Sequence, residues 1–369
     1  MTEHTDKIFS RRDLNRALLA RQLLLRRSDM PVLAAVRHLV GLQAQAPNPP
    51  YVGLWTRLQS FHHEQLSQLI LDRSIVRIAL MRSTIHLVTA DDCVTLRPIL
   101  QAVQDRGLQG AFGKKLAELD LDALAAAGRA LLEAQPLTLG ELGKRLGAQW
   151  PQRDATALAQ AVRCRLPLVQ VPPRGIWGAA GQAAHTTAEA WLGRPLAEAA
   201  SVEAMLLRYL AAFGPASVKD MQVWSGLTRL REVMERLRPS LLVFRDEHGN
   251  ELFDLPETPR PDGTTPAPPR FLGEFDNMLL SYDDRSRIMA EELKQRVFTD
   301  NGIIRAALLI DGFVSGIWSI VMHKRKVCVL TITLFREISE VERASVEAEA
   351  EGLCAFHFPE AESVEICYN

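Results

Sequence analysis

Apolar residues recur at helical spacing near the start of the chain, where Leu14, Ala17, Leu18, Leu24 and Leu25 predict a helix over 13–25. A second helix is predicted from Pro31, a residue suited to a first helical turn, to Val40, with Gly41 as its stop. Residues 43–50 hold three prolines and read as extended or looped chain. Helical patterns resume at 51–59 and 63–72. The β-rich runs 75–80 and 84–88 then flank a polar break at Arg82 and Ser83, which predicts a hairpin. Helix, helix, hairpin is the order of a winged-helix module.

The order recurs twice. Thr138 and Glu141 form a capping box that opens a helix to about residue 146, and a helix over 154–165 stands in the recognition position. Runs at 167–171 and 176–180 read as the wing. Ser217 and Asp220 form a similar box, followed by a turn at Gly226, a helix over 228–237 and a hairpin 241–245/251–255. Each box begins two residues after a proline, Pro136 or Pro215. Residues 256–270 are Pro-rich and without periodicity, an exposed linker or strap. Beyond them, strands are predicted at 303–310, 313–320, 327–334 and 363–367, with a helix over 339–356. The fold class is therefore mainly α with α+β elements: tandem winged-helix modules at 11–100, 101–195 and 196–256, a linker and strap at 257–295, and a β-rich α+β cap at 296–369.

Composition narrows the function. With 47% apolar and 24% charged residues, the 369-residue chain can bury a substantial core. Lys and Arg total 43 against 44 acidic residues, which argues against a purely electrostatic nucleic-acid binder. The charge is uneven, however. Arg11, Arg12, Arg16, Arg21, Arg26 and Arg27 crowd the first helix, either as a solvated face or as a DNA-facing one. Aromatics are scarce at 6%, against a stacking platform for single strands. The five cysteines lack CxxC or Cys/His spacing, so no metal is expected, and a cytoplasmic protein, nucleoid-associated when bound to DNA, is the natural reading. His62 and His63 read as a solvated pair.

There is no GxSxG, P-loop, HExxH or GxGxxG signature, and no cofactor is expected. One segment stands apart: Gln43-Ala44-Gln45 before Pro47. In extended chain, residues two apart project to one side, so both glutamines converge there but would not in a helix. Taken alone, they could equally satisfy loop backbone groups.

The leucine-rich first helix, GLQAQAPNPPYVGLWTRL at 41–58 and Arg82-Ser-Thr-Ile-His86-Leu-Val resemble the AlkZ-like winged-helix DNA glycosylases. So do GEFDNMLLSYDDRSRI at 273–288 and LLIDGFVSGIWSI at 308–320. The resemblance implies three winged helices in a C-shaped arrangement around duplex DNA, with Gln43 and Gln45 matching the family's catalytic Gln-apolar-Gln motif. A glutamine has no group that titrates near neutrality, so it cannot act as a strong general base. Alkylation at N7 of guanine or N3 of adenine makes the base cationic and ready to leave, through an oxocarbenium-like sugar. The expectation is that both amide oxygens hold a water near C1′ and face the developing charge. The product is an abasic site, and bulky adducts or interstrand crosslinks are included among the expected lesions.

Expected DNA contacts are Arg77, Arg82 and His86 around the first hairpin, Arg285 and Arg287, and Lys324, Arg325 and Lys326 at a hairpin tip, with surface solvation the competing account of each. A monomeric, monofunctional glycosylase is the reading. The alternatives are a non-enzymatic winged-helix transcriptional regulator and a protein-interaction scaffold.

Overall fold

The computed structural model describes residues 4–324 and 326–369, in which helices outweigh strands and three sheets share the chain. Ser10 caps the first helix, Arg11–Arg21, through a reciprocal bond with Asp13. Thr138, Ser217 and Ser339 open their helices by the same device. Each satisfies backbone N–H groups that a helix start leaves without partners. The expected pairs of helices stand at Leu139–Gln149 and Ala155–Arg165, and at Val218–Ser225 and Leu230–Leu237, the former pair separated by the Asp154 cap and the latter by the left-handed Gly226.

Several features differ from the sequence reading. The first two hairpins are not separate. Strands Ile75–Ala79 and Leu168–Gln170 pair antiparallel, merging both into one six-stranded sheet with the short strand Leu42–Gln43 at its edge. Joining the hairpins leaves fewer open strand edges. The run 176–180 is irregular, and the returning strand is Ala184–Thr187. Its backbone is held instead by Tyr51, whose hydroxyl donates to the Gly175 carbonyl (2.8 Å) and accepts from Trp177 N (3.1 Å). Helices Ala90–Ile99, Gln101–Phe112 and Leu121–Ala134, and the strand His4–Phe9 beside Leu242–Asp246, had no counterpart in the sequence reading.

Arg16 and Arg21 of the arginine run turn inward, whereas Arg11, Arg12 and Arg26 are exposed. Arg16 is fully buried and pairs with Asp311, while Arg21 makes a two-pronged bond to buried Asp254 at 2.6 and 2.8 Å. Arg12 and Arg21 also donate to the carbonyls of Gly263 and Pro259 in the Pro-rich segment. That segment has no ladder of its own, and these side-chain donors supply partners for its backbone. It is a strap over the first helix.

His63 is also not solvated. Its ring stacks on Trp177 at 4.0 Å and meets Phe356 at 4.2 Å, joining the first unit, the 172–183 loop and helix Glu340–His357. This aromatic cluster ties together chain segments far apart in sequence, from Tyr51 through Trp177 to Phe356. The C-terminal sheet runs antiparallel through Arg270–Leu272, Ala307–Ile310, Phe313–His323 and Val327–Leu334, and ends with Ser363–Tyr368 in parallel. Helix Glu340–His357 makes that parallel crossover and buries Val346, Ala350 and Leu353.

Candidate active site

Helix Val32–His38 ends in two successive left-handed residues, Val40 and Gly41. A side chain at Gly41 would strike Val88, its Cβ falling 2.5 Å from a Val88 methyl. The reversal delivers Leu42–Gln43 to the sheet, where Gln43 lies opposite His86, and Ala44 N donates to the Ile85 carbonyl at 2.7 Å. Residues 45–48 bend away into helix Pro49–Trp55. The strand thus ends at Gln43, Ala44 still bonds to the neighbouring strand, and the chain bends from Gln45 onward.

Two buried side chains hold this loop in place. Asn277 accepts from Gln43 N at 3.0 Å and donates to the Gly41 carbonyl at 2.6 Å. Arg77 donates to the Ala44 carbonyl at 2.6 Å and to Gln170 at 3.1 Å. The backbone on both sides of Gln43 is therefore clamped from outside its own strand. Asn277 was not singled out by sequence reasoning. The available signal was a polar Asp-Asn pair inside the apolar run FDNMLL, since buried polar groups are kept only with partners.

The two glutamines differ. Gln43 is 6% exposed, and its Oε1 accepts from Arg82 Nη2 at 2.7 Å. Gln45 is exposed, and its amide has no side-chain bond among the described residues. Both amide oxygens are expected to hold a water, and that of Gln43 already has one partner, the Arg82 cation.

Several residues expected at phosphates are interior. Arg77 and His86 are each 1% exposed, and Arg287 is buried, donating to the Pro215 carbonyl and lying over the Tyr282 ring. Their polar atoms serve the fold, because a long arginine can satisfy several carbonyls at once. Arg82 donates to the Trp224 carbonyl as well as to Gln43. Half-buried Arg285 donates to the Leu279 carbonyl and packs over Phe298. Lys324 is exposed at the hairpin end, Lys326 pairs with Glu362 at 2.9 Å, and Arg325 lies outside the described residues.

Burial dominates the electrostatics. It pulls Arg77 down to about 10, helped by neighbouring Arg174, and Arg82 down to about 10, helped by Arg285. Both remain cations at neutral pH. No carboxylate offsets that cost at either arginine among the described residues. The side chains that hydrogen-bond Gln43 are those of Asn277, Arg82 and Thr84, so among the described residues none of them is part of the acid–base carboxyl pair of ordinary glycoside hydrolysis. His86 is pulled down to about 3 by burial and then by Arg82, so it stays neutral, with Nδ1 positioned to donate to the Thr84 carbonyl at 2.9 Å.

His185 and His357 are likewise pushed down to about 4 by burial. All three histidines are neutral in the fold, whereas the unfolded chain binds protons near 6.5. Proton uptake by the unfolded state makes stability complete above that value and lost as the pH falls from 6.5 toward 4. Each histidine contributes at most about 1.4 kcal/mol per pH unit in that window. Melting followed by circular dichroism is expected to show a midpoint that is level near neutrality and falls steadily below pH 6.5. A midpoint constant down to pH 4.5 (about two units below the unfolded value) would contradict the assignment.

Chain and site together place the protein in a recognised class. The family described as DNA glycosylase AlkZ-like matches residues 36–356, and the chain belongs to that family. Among its relatives, the interstrand DNA cross-link repair glycosylase of Streptomyces sahachiroi is 25% identical over 356 residues, covering 90% of this chain and 92% of that protein. The solved structure of Streptomyces sahachiroi DNA glycosylase AlkZ superposes with a TM-score of 0.79 at 20% identity, over 98% of this chain and all of that one. The fold is that of the AlkZ structure. No helix among the described residues is long and apolar enough to cross a membrane.

Proposed function

We propose that this protein hydrolyses the N-glycosidic bond of cationic N7- or N3-alkylated purines in duplex DNA and leaves an abasic site. The observation that carries the reading is the Gln43 loop: a glutamine keyed by an arginine, clamped on both sides and bonded to no carboxylate among the described residues. Such a site has no strong general acid, so its substrate must bring its own positive charge to leave. Gln43 and Gln45 hold the attacking water beside C1′, and the gain comes from positioning. The exposure of Gln45 favours an open site that admits bulky adducts and crosslinks of the kind named for the Streptomyces relative. No lysine bonds within the loop among the described residues, which suits a monofunctional glycosylase over a lyase.

The three helix–helix–hairpin units act as winged helices that cradle the duplex, and the protein works as a monomer. The hairpin end bearing Lys324 meets the DNA backbone. The test is base release from a duplex holding one N7-alkylguanine, with Gln43→Ala and Gln45→Ala alongside the native protein. Release that falls toward the spontaneous rate in both variants, with DNA binding kept, is the expected result. Binding without release by the native protein would favour the transcriptional-regulator reading instead.

A further inference from the structure

The geometry around Gln43 says which end of its amide is available. A guanidinium only donates hydrogen bonds, so Arg82 Nη2 can hold the oxygen of the Gln43 amide but not its nitrogen. Oε1 must face Arg82, and Nε2 must face away. That Nε2 has no protein partner among the described residues, and it is not one of the sealed polar atoms left unpaired, so it reaches solvent. The Thr84 hydroxyl lies 3.3 Å from the same oxygen but has a closer acceptor in the Met81 carbonyl at 3.0 Å. Its single hydrogen leaves Arg82 as the partner that decides the orientation.

Arg82 is itself held with unusual care. It and Ser83 are successive non-glycine residues with positive φ, at 55° and 59°. Left-handed backbone at such residues persists only where the surroundings enforce it. Gln104 supplies that enforcement, accepting from the Ser83 hydroxyl at 2.7 Å and donating to the Leu80 carbonyl at 2.9 Å. From the third unit, the Trp224 carbonyl takes the other arm of the Arg82 guanidinium. Gly226 packs so close that a Cβ there would lie 3.3 Å from the Arg82 backbone. One side chain thus links the third unit to the catalytic loop of the first.

We infer that Arg82 is a positioning residue that fixes Gln43 as a hydrogen-bond donor, so that the two glutamines take opposite roles toward one water. The inference rests on the glycosylase reading above. Nε2 of Gln43 donates to one lone pair of the water, and Oε1 of the unconstrained Gln45 accepts one of its hydrogens. The remaining lone pair is free for C1′. As the new C1′–O bond forms, the C1′–N9 bond breaks, its electron pair neutralises the cationic purine, and the surplus water proton passes to solvent. Neither glutamine gains or loses a proton. The Arg82 charge strengthens the Gln43 donor by polarising its amide.

The test compares Gln43→Glu, Gln43→Ala, Arg82→Met and Arg82→Lys in single-turnover release of N7-methylguanine from duplex DNA, with DNA affinity measured over a range of salt. Gln43→Glu keeps a partner for Arg82 but exchanges the donor for an acceptor, so it is expected to fall as far as Gln43→Ala, about 100-fold. Arg82→Met is expected to lose about as much alone, yet less than about twofold when added to Gln43→Ala, because it acts through the same group. Arg82→Lys, still a donor, recovers part of the rate, and neither affinity nor its salt slope changes. A Gln43→Glu protein as fast as the native one would overturn the donor assignment while leaving the glycosylase reading intact. Additive losses with a salt slope reduced by about one would overturn the positioning role and make Arg82 a phosphate contact. Should Arg82→Met not fold, Gln43→Glu decides the donor assignment by itself. A native protein that releases no base would remove both readings together.

Discussion

Replacing Asn277 with alanine is expected to slow base release about 100-fold while leaving a folded protein that still binds DNA. Asn277 makes no hydrogen bond to either glutamine side chain among the described residues. Its oxygen accepts from the backbone N–H of Gln43, and its nitrogen donates to the Gly41 carbonyl two residues earlier. The side chain thus spans the turn that delivers Gln43 to the sheet edge. On that edge the strand is only two residues long and pairs on one side alone, with Ile85–Thr89. Removing the clamp leaves Gln43 free to shift by the ångström or so that positional catalysis does not tolerate. Asn277→Asp separates the two bonds, because it keeps the acceptor for Gln43 N but sets a carboxylate oxygen against the Gly41 carbonyl. It should be no better than alanine. Single-turnover rates beside melting curves and DNA affinities check this, and a folded Asn277→Ala protein within about threefold of the native rate would count against the clamp.

Local signals in this sequence were easy to read and long-range ones were not. The capping residues Thr138 and Ser217, the stop at Gly41 and the strand Val327–Leu334 follow from chemistry confined to a few neighbouring residues. The candidate glutamines were visible for the same reason, as a short extended motif before a proline. The arginines were misread because charge says nothing about which way a side chain faces. Arg16, Arg21 and Arg77 are as basic in the sequence as Lys324, but each meets interior acceptors contributed by distant segments. Merging the hairpins required Ile78 to find Val169, a pairing across 91 residues (about 90 by position) that no periodicity encodes. Asn277 is the same kind of omission. Its meaning lies in two backbone groups more than 230 residues away in the chain.

Breaking the Arg57–Asp276 pair is expected to have the largest effect on stability. Both side chains are almost wholly inaccessible, and they meet through two parallel bonds of 2.8 Å. Arg57 also donates to the Gly53 carbonyl, and the Asp276 carboxylate accepts from Met278 N, so each partner is tied to its own backbone as well. Asp276→Ala would leave a guanidinium in the interior with no counter-charge, and Arg57 Nε already lacks a partner. Loss of one partner from such a pair costs about 3–5 kcal/mol, a large share of the roughly 5–15 kcal/mol that keeps a domain folded. The denaturation midpoint in urea should drop accordingly with little change in slope. Replacing both members by apolar residues, Arg57→Met with Asp276→Leu, should be much less harmful than Asp276→Ala alone, because the cost comes mainly from the stranded charge. A double variant as unstable as the single one would instead make the pair's own bonds the source of stability. The position of the pair gives the experiment a second reading. It joins the chain just after helix Pro49–Trp55, downstream of the glutamines, to the residue before Asn277, so a double variant that regains stability without regaining base release would show that these bonds also set the register of the clamp on Gln43.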